Sequence, residues 1–261
     1  MSTRRLVWHL ELPARWRTKP VSRPVVVGRD LVLETWLVMV AMLLPWFIGA
    51  AVQLGLHLAS GTSVNPLPTY DKHNAAVNIV LGLLSYVPTA AVVPLAWLLL
   101  ARTGQRPADL GLTRVGWPDV GTGVGLAAAS LGSVYVLSVV LFPLTHSRLA
   151  NTPGLLHVPA YYLVFGISQS LLTAVAEETA VNAYLITRLD QLGWSPAGAF
   201  WLSMALRTSY HVYYGIALVF TLPFGYFVTR SFQKHRRIGG PILAHFLYDT
   251  TQFLLAILVA R

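Results

Sequence analysis

The chain has no cysteine. That absence excludes disulfides, thiolate metal ligands and cysteine nucleophiles together. Charge is scarce too: 11% of the 261 residues are Asp, Glu, Lys or Arg, against about 25% in an ordinary soluble domain. Acids are the rarer sign, 10 against 19 Lys plus Arg. No cleavable signal peptide is evident, because the first 30 residues are basic and broken by proline, without the apolar core such a peptide needs. What the chain has instead is hydrophobic residues, 55% of the total.

These residues fall in runs. Residues 35–56, 74–101, 120–145 and 159–176 carry no Asp, Glu, Lys or Arg. A bilayer span needs about 20 apolar residues, and all but the fourth reach that length. Three further runs follow at 196–214, 215–229 and 238–260; the first of these contains Arg207, and the first two are the weakest. The pattern predicts an all-α, polytopic transmembrane bundle of seven or eight spans. Its parts are a basic tail over residues 1–30, scaffold helices over 31–150 and a chemically richer set over 151–261. All belong to one continuous membrane domain.

The net charge of +9 does not call for a nucleic-acid partner, because its placement follows the membrane. Seven basic residues precede the first run. Arg102, Arg106 and Arg114 follow the second, Arg188 the fourth, and Arg230, Lys234, Arg236 and Arg237 the sixth. The opposite loops and terminus hold Lys72, Arg148 and Arg261. This asymmetry puts the N-terminus in the cytoplasm of a cell membrane and directs the basic side toward anionic lipids. Trp8 and Trp16 suit an interfacial tail; a loosely ordered tail fits the same composition.

Inside the runs, ionisable groups cost about 2.5–3.5 kcal/mol each and mark functional sites. Glu177, Glu178, Arg207, His211, His245 and Asp249 all lie in the last 90 residues. Glu34 and Asp119 stand near span starts, where an acid suits a helix N-terminus. On a helix, Glu177 shares a stripe with Ser170, Thr173 and Val181, while Glu178 is turned by about 100° toward the face of Asn182. The two acids therefore need not share a partner. Arg207 and His211 are four apart, as are His245 and Asp249, so each pair shares a face. Gly121, Gly125, Ala128, Ala129 and Gly132 suggest a close helix approach. Pro88, Pro94 and Pro223 suggest kinks or cavities.

A buried carboxylate can serve as general base toward water. Two acids and two histidines also make a donor set for a divalent metal such as zinc, although the spacing is not HExxH. Structural readings stand beside these: an ion pair of the glutamates with Arg207, a carbonyl-bound core His211, and a His245–Asp249 staple between helices. Buried Glu and His also serve proton relays and transporters, but no internal repeat of broken helices is found. Helical rise sets His211 about 24 Å along its helix and His245 only about 10 Å past Gly239, depths that do not match.

"EETAVN", "RTSYH" and "HFLYD", in that order and each within an apolar run, resemble the CPBP family of intramembrane proteases, the CAAX protease and bacteriocin-processing (Abi) group. The resemblance covers residues 159–260. It implies peptide-bond hydrolysis on a membrane-embedded or lipid-anchored protein substrate. By resemblance Glu177 activates water and Glu178 assists it, while His211 and His245 orient the water, or a metal held with Glu177. Asp249 completes the site. Both a metal and a metal-free glutamate mechanism are compatible with it. Two positions depart from the family pattern: Asn182 stands where the family has Arg, and Arg207 where it has Phe. Arg207 is expected to return the missing cation and brace Glu178. A bundle that keeps the fold but has lost catalysis, acting as a scaffold or immunity-type partner, is the alternative.

Overall fold

The computed structural model describes residues 28–60, 75–145 and 160–259. The tail with Trp8 and Trp16, and the histidines His9, His73, His146 and His157, lie outside the described residues. Among the described residues every element is helical. Four helices are long and apolar enough to cross a membrane: α1 (Arg29–Ser60), α2 (Ala75–Arg102), α3 (Trp117–Thr145) and α8 (Gly239–Val259). Large apolar side chains stand exposed along them, including Leu33, Leu37, Leu44, Ile48 and Val52 on α1 and Leu81, Leu84, Val87 and Leu98 on α2. So much contiguous apolar surface needs a lipid or protein cover.

The fourth apolar run does not end at residue 176. Its helix continues as α4 (Ala160–Glu177), a π-helical stretch (Glu178–Tyr184) and α5 (Leu185–Gln191). Arg188, expected in a loop, is therefore a helical residue and is fully buried. Its guanidinium donates to Gln105, to Gln191 at 3.0 Å and to Thr103 Oγ1 at 3.2 Å, and lies 4.9 Å from the centre of the Tyr184 ring. Neutral acceptors and an aromatic face there replace the water a loop would have supplied.

The two weakest runs are also rearranged. α6 (Pro196–Ser209) starts at Ser195, whose Oγ accepts from Gly198 N at 3.1 Å, and stops before His211. A 3-10 segment (Val212–Thr221) leads into α7 (Leu222–His235). Pro223 does not kink a span. It sits in the first turn of α7, where the missing N–H costs nothing, and it lines a groove of about 870 Å³ between α3 and α7. Pro88 and Pro94 lie inside the continuous α2.

Close approach of α3 and α8 depends on a different glycine from those expected. A Cβ at Gly121, Gly125 or Gly132 would meet nothing, whereas one at Gly123 would come within 2.8 Å of Leu243. The small-residue stripe points outward, and the helix turns its Gly123–Ala127–Ser130 face to α8 and its neighbours. Gly166 of α4 similarly receives the ring of Phe253.

The basic end of the bundle is tied by one buried and one half-buried ion pair. Arg237 forms an ion pair with Asp119, whose Oδ2 also accepts from Gly116 N at 2.9 Å. Arg236 pairs with Asp190. Gly111 adopts φ 76°, and a Cβ there would approach the Arg236 carbonyl oxygen to 2.5 Å. These ties also bring Glu178 and His245 to similar depths. The Arg236–Asp190 pair sets a common level, from which Glu178 lies twelve helical residues back, about 18 Å. From Arg236 to Ile238 the chain is not helical, so it advances up to about 10 Å to Gly239 before six helical residues add about 9 Å to reach His245.

Candidate active site

Glu177 is the last residue of α4, and Glu178 opens the π-helical stretch. Such wide turns occur often at functional sites. Both acids are buried, Glu178 completely. They do share a partner, as in the ion-pair reading of the sequence, although their rotation on a regular helix did not require one. Arg207 Nη1 donates to Glu177 Oε2 at 3.3 Å, and Nη2 forms an ion pair with Glu178 Oε1 at 2.8 Å. The planar fork of a guanidinium spans two adjacent carboxylates in a way a lysine cannot. Arg207 stands on α6 with its guanidinium 5.6 Å from the Phe224 ring centre, and is itself 3% exposed.

Glu178 has commitments on both oxygens. Besides Arg207, Oε1 contacts His245 Nδ1 at 2.8 Å, and Oε2 accepts from Asn182 Nδ2 at 2.5 Å. Asn182, fully buried, then uses Oδ1 to accept from Ser203 Oγ at 3.2 Å and Thr229 Oγ1 at 3.0 Å. One amide thus links the π-helical stretch to α6 and α7. That is the work of the residue standing where the family pattern has a cation, and Arg207 supplies the cation from the neighbouring helix.

His245, on α8, lies between two carboxylates. Its Nε2 is 3.2 Å from Asp249 Oδ2, one turn further along. Its ring packs on Phe224 at 4.7 Å between centroids. His211 lies just beyond the end of α6. Its Nδ1 contacts the Arg207 carbonyl oxygen at 3.0 Å, and its ring stacks near Tyr214 and Tyr210. The Tyr210 ring beside it and the Arg207 carbonyl it contacts belong to the two residues that reach Glu177. The structure therefore draws Glu177, Glu178, Asn182, Arg207, His211, His245 and Asp249 to one region from four helical elements.

Tyr210 was not among the expected residues. Its hydroxyl donates to Glu177 Oε2 at 2.6 Å, and the side chain is buried. The signal for it lay in the spacing: Arg207, Tyr210 and His211 are i, i+3 and i+4, one face of a helix. Ser203 and Thr229 are the other additions. Nothing in their apolar surroundings marked them, because a lone hydroxyl in a span usually bonds its own helix.

As a metal site this donor set fits poorly. The Arg207 guanidinium occupies the place between Glu177 and Glu178 where a cation would be held. Both nitrogens of His245 already face carboxylate oxygens. Among the described residues no three His, Asp or Glu side chains are arranged around one ion position. The chemistry on offer is instead a buried carboxylate beside fixed positive charge.

Residues 159–251 match the family model described as type II CAAX prenyl endopeptidase, Rce1-like. The match holds the α4–α5 rod, α6, α7 and the first half of α8, and so every residue of the cluster. No curated protein and no solved structure matches the chain.

Proposed function

Because residues 159–251 belong to the CPBP family as a Rce1-like segment, we propose that this membrane protein is an intramembrane endopeptidase with Glu177 as its general base. The substrate class is a membrane-anchored peptide, with a prenylated C-terminal segment as the first candidate from the family's printed description. The protein crosses the bilayer several times with its N-terminus in the cytoplasm.

The observation that carries this reading is the unequal commitment of the two acids. Glu178 is fully buried, with both oxygens engaged by Arg207, His245 and Asn182. It holds the site together. Glu177 receives Tyr210 and Arg207 on Oε2 alone, so Oε1 has no protein partner among the described residues. In the proposed reaction, Oε1 takes a proton from water as the water oxygen attacks the scissile carbonyl carbon. Glu177 then returns that proton to the leaving nitrogen as the C–N bond breaks. The oxyanion forms near Arg207, His245 and His211, whose fixed dipoles and charge stabilise it among buried side chains. Asp249 keeps the His245 ring oriented.

Purified protein in detergent is expected to cleave an internally quenched, farnesylated CaaX peptide. Glu177→Gln, which keeps shape and loses basicity, should abolish cleavage while melting as wild type does. Equal cleavage by both proteins would refute the base assignment. A folded wild-type protein that leaves the peptide intact would refute the substrate class.

A further inference from the structure

Resting on the assignment of Glu177 as base, we infer that Tyr210 is a positioning residue for that base, held in place by Trp46 and Phe47 of α1. The Tyr210 hydroxyl makes the shortest contact to Glu177, 2.6 Å to Oε2, against 3.3 Å from Arg207. A carboxylate with a free χ3 has two equivalent oxygens and a broad torsional well. A donor fixed on one oxygen removes that freedom and aims the other. The effect depends on the donor being rigid, and Tyr210 is. Its ring is buried, with Trp46 edge-on at 5.3 Å, Phe47 at 6.5 Å and His211 at 4.6 Å.

The supporting rings come from outside the family-matched segment, since Trp46 and Phe47 lie on α1. α1 packs against the π-helical stretch and the 3-10 segment that flank the site. The N-terminal helix is thus part of the catalytic geometry: α1 holds Tyr210, Tyr210 holds Glu177, and the base presents Oε1. Tyr210 touches neither substrate nor water in this scheme. It acts through Glu177.

Steady-state kinetics on the farnesylated quenched peptide test this. Tyr210→Phe keeps the ring and its packing and removes the hydroxyl. It is expected to lower kcat on the order of 10–100-fold, the scale on which a misplaced catalytic group is felt, with KM and melting temperature unchanged. Trp46→Leu leaves the hydroxyl but removes the edge-on ring contact from α1, and should lower kcat in the same direction by less. If Glu177→Gln is inactive and Tyr210→Phe retains wild-type kcat, the positioning role is overturned while the base assignment stands. If Tyr210→Phe does not fold, Trp46→Leu decides, and wild-type kcat there overturns the role of α1. If Glu177→Gln is as active as wild type, the base assignment falls and this inference falls with it.

Discussion

Arg207 shows how one residue can settle the meaning of several others. Two carboxylates buried side by side repel and are costly to desolvate. The guanidinium between them, 3.3 Å from one and 2.8 Å from the other, makes their burial tolerable. Removing one partner of such a cluster leaves uncompensated charge and costs about 3–5 kcal/mol. Arg207→Ala is therefore expected to lower the yield of folded protein and its melting temperature sharply. Adding Asn182→Arg returns a cation to the α4–α5 rod and should restore part of the loss, though Ser203 and Thr229 then lose their acceptor. A melting temperature equal to wild type for Arg207→Ala alone would show that the glutamates do not depend on it. The acids, histidines and Asp249 were readable in the sequence because ionisable residues stand out in apolar runs. Tyr210 was not singled out, since a tyrosine near a span end reads first as an interfacial anchor.

At the scale of elements, the site depends on helices that stop, widen or start in unexpected places. Periodicity in an apolar run cannot distinguish regular turns from π-helical ones, because the residues are apolar on every side. So the π-helical turn at Glu178 was not legible, although an ion pair of the two glutamates with Arg207 was among the readings the residues allowed. Nor was the choice of Gly123 over Gly121 or Gly125 as the contact with α8, since glycines along one apolar helix look alike until a neighbour is present. Gly111 is a clearer case. Its φ of 76° costs an L-residue roughly 1–2 kcal/mol, and its Cβ would press on the Arg236 carbonyl that leads into α8. Gly111→Ala should lower the melting temperature by several degrees and weaken activity through the level of His245. Gly121→Ala, in open space, should change neither. Equal stability of the two variants would remove Gly111 from this role.

For the molecule as a whole, the scarcity of charge left few chemical arrangements to consider, and the donor geometry narrows them further. With Arg207 between the acids and both His245 nitrogens facing carboxylates, catalysis is expected to proceed without a bound metal. Elemental analysis of the purified protein should find no stoichiometric divalent metal, and strong chelators should leave the cleavage rate within about twofold of untreated enzyme. Loss of activity with chelator and its return with zinc would show that the cluster rearranges around an ion.

The sequence by itself determined the class of molecule and which ionisable groups stand inside its apolar runs. Burial in a bilayer acts on composition and run length, and an ionisable side chain in such a run has few uses. Tertiary structure alone decided which glutamate oxygen is left without a protein partner among the described residues, because that follows from distances of a few ångströms across separate helices. It also buried Arg188 against Gln105 and Thr103, and brought Trp46 and Phe47 of α1 to Tyr210. Those contacts join residues more than 80 positions apart, and no local pattern encodes a partner that only packing brings near.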